Sequence, residues 1–276
     1  MVPAIPNSHV LSLAEICYRV GERAILKRIS LKIVSGELIA IVGPNGGGKS
    51  TLLHVMAGLL PATEGVVTID GRPIAQFTRK AIARQIALLP QQARIDFGFV
   101  VHDVVRMGRH PHLGRFSPPS AADEAVVHQA MEVTTTLPLA QRIITEVSGG
   151  ERQLILLAQS LAQEPRFLLL DEPTANLDIA HQCHVIELLQ RLAEEGIGIV
   201  AVIHDLSMAI RCFRRLVLIH QGTVEGDGSP VDVLSVEMIS RIFRVQARLY
   251  EDQASGTPLL WFPVYKKELA PSTLME

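Results

Sequence analysis

The residues from Gly43 to Thr51, GPNGGGKST, constrain this chain more than any other stretch. Before them, Leu38–Val42 (LIAIV) is an apolar run of the kind that forms a strand buried on both faces. After them, TLLHVMAG carries apolar residues at Leu52, Val55 and Met56. Gly43, four intervening residues, then Gly48, Lys49 and Ser50 is the spacing of a phosphate-binding loop, with the strand before it and the helix after it that such a loop needs.

The chemistry accounts for the residue types. A polyphosphate needs several N–H donors converging on it, and residues without a Cβ let the backbone come close; Gly46, Gly47 and Gly48 supply that approach. A helix starting at Lys49 adds its free N–H groups and positive dipole end. Lys49 would neutralise β- and γ-phosphate charge, the Ser50 hydroxyl would ligate Mg²⁺, and Thr51 can support the same corner. A plain glycine turn between strand and helix would not require Lys-Ser at this offset.

With 276 residues, 48% of them hydrophobic, the chain can bury a large core in one or two domains. Its 26 basic and 28 acidic residues leave a net charge of −2, and no Lys/Arg patch marks a nucleic-acid or anionic-membrane binder. Cys17, Cys183 and Cys212 are far apart and lack CxxC spacing, which fits a reducing cytosol better than a disulfide framework or a cysteine zinc site. The start, MVPAIPNSHV, lacks the basic and apolar regions of a signal peptide. No uncharged apolar stretch reaches the roughly 18 residues of a membrane span, so any service to a membrane is expected from the aqueous side.

Taken in order, Val10–Cys17, 24–26 and Ile29–Val34 read as strands of an antiparallel flap, with a turn at Gly21 beside Tyr18. Tyr18 is a candidate to stack on a base, or an ordinary strand tyrosine. Gly65–Ile74 reads as a hairpin turning at Asp70-Gly71, and Ile86–Leu89 as a strand delivering Gln91 and Gln92 to the mouth of a sheet. From about residue 93 the texture turns helical, with Val101–Met107 and Ser120–Val133 as helices around the loop GRHPHLGRFSPPS. This helical insertion suggests contact with a partner. His110 and His112 flank Pro111 without a nearby carboxylate and read as a contact loop. His181 and His184, on the predicted helix Ile179–Leu192, read as a solvated face.

Val147-Ser148-Gly149-Gly150-Glu151 opens a helix running to Ala162. Ser148 at the N-cap and Glu151 three residues on form a capping box, which explains both as helix punctuation but leaves the two glycines unexplained. A capped helix start behind bare backbone is also an anion site. Phe167–Leu170 ends in Asp171-Glu172, and Ile197–Ile203 ends in His204; both read as central parallel strands. Three strand ends therefore aim phosphate-binding, metal-binding and proton-handling groups at one crevice. Arg215–Ile219 with Thr223-Val224, the helix Ser235–Phe243, a hairpin of Val245–Glu251 with Leu259–Val264 and a frayed tail from Ala270 complete the chain.

The ordered set resembles the nucleotide-binding subunit of an ATP-binding cassette (ABC) transporter: Tyr18, GPNGGGKST, Gln91, VSGGE (Val147–Glu151), FLLLDEP (Phe167–Pro173), ANLD (Ala175–Asp178) and the histidine of VIHDL. Val147 stands where the family usually has Leu, and Leu154 where a basic residue is commoner. The segments YRVG, GRHPHLGRF, LAQEP, LDIAHQ and GTPLLWFPV look like those of importers of iron-siderophore, haem or cobalamin complexes.

The resemblance implies an α/β fold: a P-loop NTPase (RecA-like) core with an antiparallel β subdomain and an α-helical subdomain inserted at about 93–165, all within one domain over 8–250, followed by an extension over 251–276. It implies that Tyr18 stacks on adenine, and that Gly43, Pro44, Asn45, the Gly46–Gly48 amides, Lys49 and Thr51 form the phosphate loop. Ser50 and Gln91 would ligate Mg²⁺, with Asp171 supporting it through water. Glu172 would orient or deprotonate the attacking water, and His204 would contact the γ-phosphate. Ser148, Gly149, Gly150 and Glu151 would face the γ-phosphate held by a second copy of the chain, and Asp178 would couple the two sites. Two ATP molecules would lie between the copies, at the cytoplasmic face of the inner membrane, with two transmembrane permease subunits and, indirectly, an extracytoplasmic substrate-binding protein as partners. No nucleic acid is implied.

Two other classes compete. A chromosome-type cassette ATPase carries a long coiled coil between its glutamine and its signature, and a translation-type one carries two cassettes per chain; neither pattern is present. A small-molecule kinase would not need VSGGE or ANLD.

Overall fold

The computed structural model describes residues 8–91, 95, 97–114, 118–175, 177–253 and 256–263. Expectations placed on Gln92, residue 93, Arg115, Phe116, Asn176, Val264 and the tail from Ala270 lie outside them. The chain opens with β1 (Val10–Val20) and β2 (Arg23–Val34), paired antiparallel. The two strands expected over 24–34 are one, interrupted only by a bulge at Lys27 and Arg28, where Arg28 takes a left-handed backbone (φ 52°) and pairing resumes at Ile29. Next come β3 (Leu38–Val42), α1 (Lys49–Met56), β4 (Glu64–Ile69) and β5 (Arg72–Pro73), then α2 (Arg79–Ala83) and β6 (Ile86–Leu89).

The insertion holds α3 (Val101–Arg106), α4 (Ala121–Val133) and α5 (Gly149–Leu161). α3 stops one residue short of the expected Met107, because a tighter 3₁₀ turn takes over at Met107–Arg109. β7 (Phe167–Asp171), α6 (Ile179–Glu194), β8 (Gly198–Val202), α7 (Leu206–Cys212), β9 (Arg215–His220) and β10 (Thr223–Gly228) return to the core. α8 (Pro230–Val233), α9 (Val236–Phe243) and the hairpin of β11 (Arg248–Glu251) with β12 (Pro258–Trp261) follow.

Two sheets carry the architecture: an antiparallel one in the order β2-β1-β4-β5, and a six-stranded one in the order β10-β9-β3-β8-β7-β6. In the second, β9, β3, β8, β7 and β6 run parallel, and only β10 is antiparallel. All five residues of β3, of β7 and of β8 are buried, as continuous apolar runs between helices require. Side chains alternate faces along a strand, so each splits between two cores. Leu38, Ala40, Leu168, Leu170, Ile199 and Ala201 join the core shared with the helical insertion. Ile39, Ile41, Phe167, Leu169, Val200 and Val202 join the one shared with α1 and the antiparallel sheet. Ile41 pairs with Val202, Val202 with Asp171 and Leu170 with Leu89, so the carboxyl ends of four adjacent strands stand level. That level edge is where ligands of open parallel sheets bind.

Candidate functional site

The loop leaving β3 is shaped by close approach. A Cβ at Gly43 would stand 1.9 Å from the Ile219 carbonyl oxygen of β9, so any side chain there would drive the loop off the sheet. Gly46 instead turns through φ 75° with nothing within 4 Å of its Cβ position, leaving an open approach to the backbone. Behind the loop, the Gly222 N–H donates to Gly47 O at 3.1 Å and the Lys27 N–H to Gly222 O at 2.8 Å. The Gln221-Gly222 turn, expected to be a plain hairpin, thus props the phosphate loop from beneath.

Lys49 begins α1 and is buried; its Nζ donates to Gly43 O at 2.8 Å and Pro44 O at 3.0 Å. An ammonium has three protons, so one stays free for a ligand. Burial pulls the Lys49 amine below its usual value, opposed by Glu172 and then Asp171. Burial raises the Asp171 carboxyl, a Ser50 hydroxyl bond opposes it, and the neighbouring Glu172 charge raises it further. Asp171 Oδ1 is buried with no hydrogen-bond partner within the chain. A buried orphan carboxylate oxygen beside a serine hydroxyl is a donor set suited to a hard divalent cation and its waters.

Glu172 follows at φ 55°, a left-handed conformation that costs a non-glycine residue about 1–3 kcal/mol and marks functional sites. The turn aims its carboxylate at His204, whose Nε2 lies 2.5 Å from Glu172 Oε1. Around these groups opens a cavity of about 760 Å³ lined by Arg23, Ile25, Asn45, Gly46, Gly47, Gly48, Lys49, Ser50, Thr51, Gln91, Glu172 and His204. Its size suits a nucleotide.

The structure therefore brings together the loop, Gln91, Glu172 and His204. It does not bring Tyr18 to the cavity wall: Tyr18 is half-buried on β1 opposite Leu26, against the core shared with α1. Arg23 and Ile25 line the wall instead, and sequence reasoning missed both; the signal was the strand leaving the turn after Tyr18. Ser148, Gly149, Gly150, Glu151 and Asp178 also lie off this cavity. The capping box at α5 is formed, with the Ser148 N–H donating to Glu151 Oε2 at 2.8 Å and the Glu151 N–H to Ser148 Oγ at 3.2 Å. Bonds from the Ser148 N–H and hydroxyl hold the Glu151 carboxyl below its usual value.

His181 and His184, expected on a solvated face, are partly exposed there and also meet other groups. His181 Nδ1 is 2.8 Å from Asp178 Oδ1, its ring lies against Gly150, and His184 Nε2 is 3.3 Å from Thr135 Oγ1. His112 Nε2 meets Gln163 O at 2.9 Å, and Lys80 and Arg84 of the α2 region donate to Leu113 O and Pro111 O, so the histidine loop is tied to the core. Among the described residues, no group of three or more His, Cys, Asp or Glu could hold a metal ion, and no helix is long and apolar enough to cross a membrane.

Comparison with known proteins agrees with this geometry. Residues 26–175 match the family model described as ABC transporter. The hemin import ATP-binding protein HmuV of Myxococcus xanthus is 40% identical over 258 residues, 91% of this chain and 96% of that protein. The cobalamin import ATP-binding protein BtuD of Halobacterium salinarum is 44% identical over 240 residues, 85% of this chain but only 60% of that protein's length. Among solved structures, the dimeric bacterial ABC transporter cassette MJ0796 superposes with a TM-score of 0.70 at 27% identity, over 80% of this chain and 98% of that one. With its phosphate loop, strand-end carboxylates and capped signature helix in one α/β frame, this chain belongs to the ABC transporter ATP-binding family.

Proposed function

We propose that this chain is the ATP-binding and hydrolysing subunit of an importer, powering uptake of an iron-siderophore, haem or cobalamin complex from the cytoplasmic face of the membrane. The carrying observation is the meeting of Lys49, Ser50, Gln91, Glu172 and His204, from separate strand ends, around one nucleotide-sized cavity. The names of the relatives, import proteins for hemin and cobalamin, support the cargo class.

Lys49 and the loop amides hold the β- and γ-phosphates of ATP. Ser50 and Gln91 would hold Mg²⁺, with Asp171 behind them through water, and the ion would supply neutralisation of phosphate charge. Glu172 Oε1 accepts the proton of the attacking water, and the His204 Nε2–H is shared between that carboxylate and the γ-phosphate. Ser148, Gly149 and Asp178 serve the nucleotide of a second copy, which matches their position off their own cavity. ATP joins the two copies, hydrolysis releases them, and the helical insertion transmits the movement to two permease subunits fed by an extracytoplasmic binding protein.

Reconstitution of the chain with its permease in vesicles tests this reading. ATP-dependent accumulation of ferric siderophore, haem or cobalamin is the expected result. ATP hydrolysis without uptake of any of the three would overturn the cargo assignment.

A further inference from the structure

Two observations at the first turn of α6 converge on one side chain. His181 reaches back to Asp178: both its N–H, at 2.9 Å, and its Nδ1, at 2.8 Å, meet Asp178 Oδ1. A carboxylate only accepts, so the imidazole proton sits on Nδ1. The opposite edge of the same ring covers Gly150, where a Cβ would stand 2.7 Å from His181 Cδ2 and 2.9 Å from Cγ and Nε2. Gly149, one residue earlier, has nothing within 4 Å of its Cβ position. The two glycines left unexplained by capping therefore differ in purpose: Gly149 is bare towards the outside, and Gly150 is bare because His181 of the same chain occupies its space.

We infer that His181 is a positioning residue, joining Asp178 to the Gly149–Glu151 backbone so that the two segments presented to a second copy move as one. The inference rests on the two-copy reading of the site. Asp178 and the start of α5 belong to different parts of the chain, one on the loop after β7 and the other on the helical insertion, and neither lines its own nucleotide cavity. Nothing but contact keeps their relative placement. The imidazole supplies a donor to one and a flat steric stop to the other, and being planar with two side-chain torsions it has little freedom to lose. His184, on the same face of α6, meets Thr135 after α4 and aligns the helix against the insertion at a second point.

Steady-state ATP turnover of the full chain, with binding of a fluorescent ATP analogue measured at high dilution, tests the inference. His181→Ala is expected to lower kcat about 10-fold to 100-fold, as small misplacement of reacting groups does, while analogue affinity for the single-copy cavity changes less than about twofold. His181→Asn, which can place an amide donor where Nδ1 stood, is expected to recover part of that loss. Ser148→Ala is the reference. If Ser148→Ala abolishes turnover while His181→Ala keeps the wild-type kcat, the inference falls and the two-copy reading stands. If Ser148→Ala leaves turnover unchanged, both fall. A loss in His181→Ala that follows its loss of thermal stability, with no recovery in His181→Asn, would reduce His181 to a structural residue and overturn the inference.

Discussion

In the proposed reaction Glu172 separates binding of ATP from its hydrolysis. Its carboxylate stands on a left-handed turn directly after the buried strand β7, bonded to His204 and facing the cavity. The strain is sustained because Asp171 before it and Pro173 after it are buried. Replacing the carboxylate by an isosteric amide keeps the turn and the His204 contact but removes the proton acceptor. Glu172→Gln is therefore expected to bind Mg-ATP at near wild-type affinity and to lose kcat by about 100-fold or more, the usual worth of a general base. Single-turnover hydrolysis measured beside equilibrium nucleotide binding checks this, and a variant that hydrolyses ATP at the wild-type rate would remove Glu172 from the chemistry.

At the scale of elements, one buried guanidinium ties together the parts of the insertion. Arg109 donates to Asp123 at the start of α4 at 3.0 Å, to Ala162 O after α5 at 2.8 Å and to Glu164 at 2.6 Å. The Ser120 hydroxyl and N–H, and then Arg109, hold the Asp123 carboxyl down at about 2. A carboxyl whose folded value lies below its unfolded value of about 3.9 adds stability above that value and loses it as pH falls towards about 2. The urea midpoint of wild type should thus exceed that of Asp123→Asn by a constant margin above about pH 5, and the margin should close by about pH 2. A margin that persists at pH 2 would assign the effect to packing rather than ionisation.

The same scale shows what the sequence could reveal. β3, β7 and β8 were readable as buried strands because central parallel strands are continuous apolar runs, and the α4 and α5 starts because both carry capping boxes. α2, with five residues, is too short to show a helical period, and α7 hides behind the histidine and aspartate that begin it. The contacts of His181 with Gly150 and of His184 with Thr135 were not legible, because those partners come from another part of the chain and periodicity along one helix carries no information about its neighbour. Arg109 was likewise invisible: its partners gather only once α4 and α5 pack together.

For the whole molecule, the proposed two-copy reading means that one copy would hold an incomplete site. The cavity gathers the groups proposed to bind phosphate and handle the proton, while Ser148 and Gly149, with nothing within 4 Å of the Gly149 Cβ position, lie away from it. Two copies related by a twofold axis would bring each bare helix start to the other's nucleotide, satisfying both at once by a symmetric, self-complementary contact. Turnover then belongs to the dimer, so at concentrations well below the dimer dissociation constant the rate should rise as the square of enzyme concentration. A tenfold dilution in that range is expected to cut specific activity about tenfold, and saturating nucleotide should restore part of it by favouring the closed pair. ATPase rate measured across such a dilution series, with light scattering reporting mass at each point, checks this. A specific activity that stays constant where only monomer is present would mean that a single cassette completes the reaction alone.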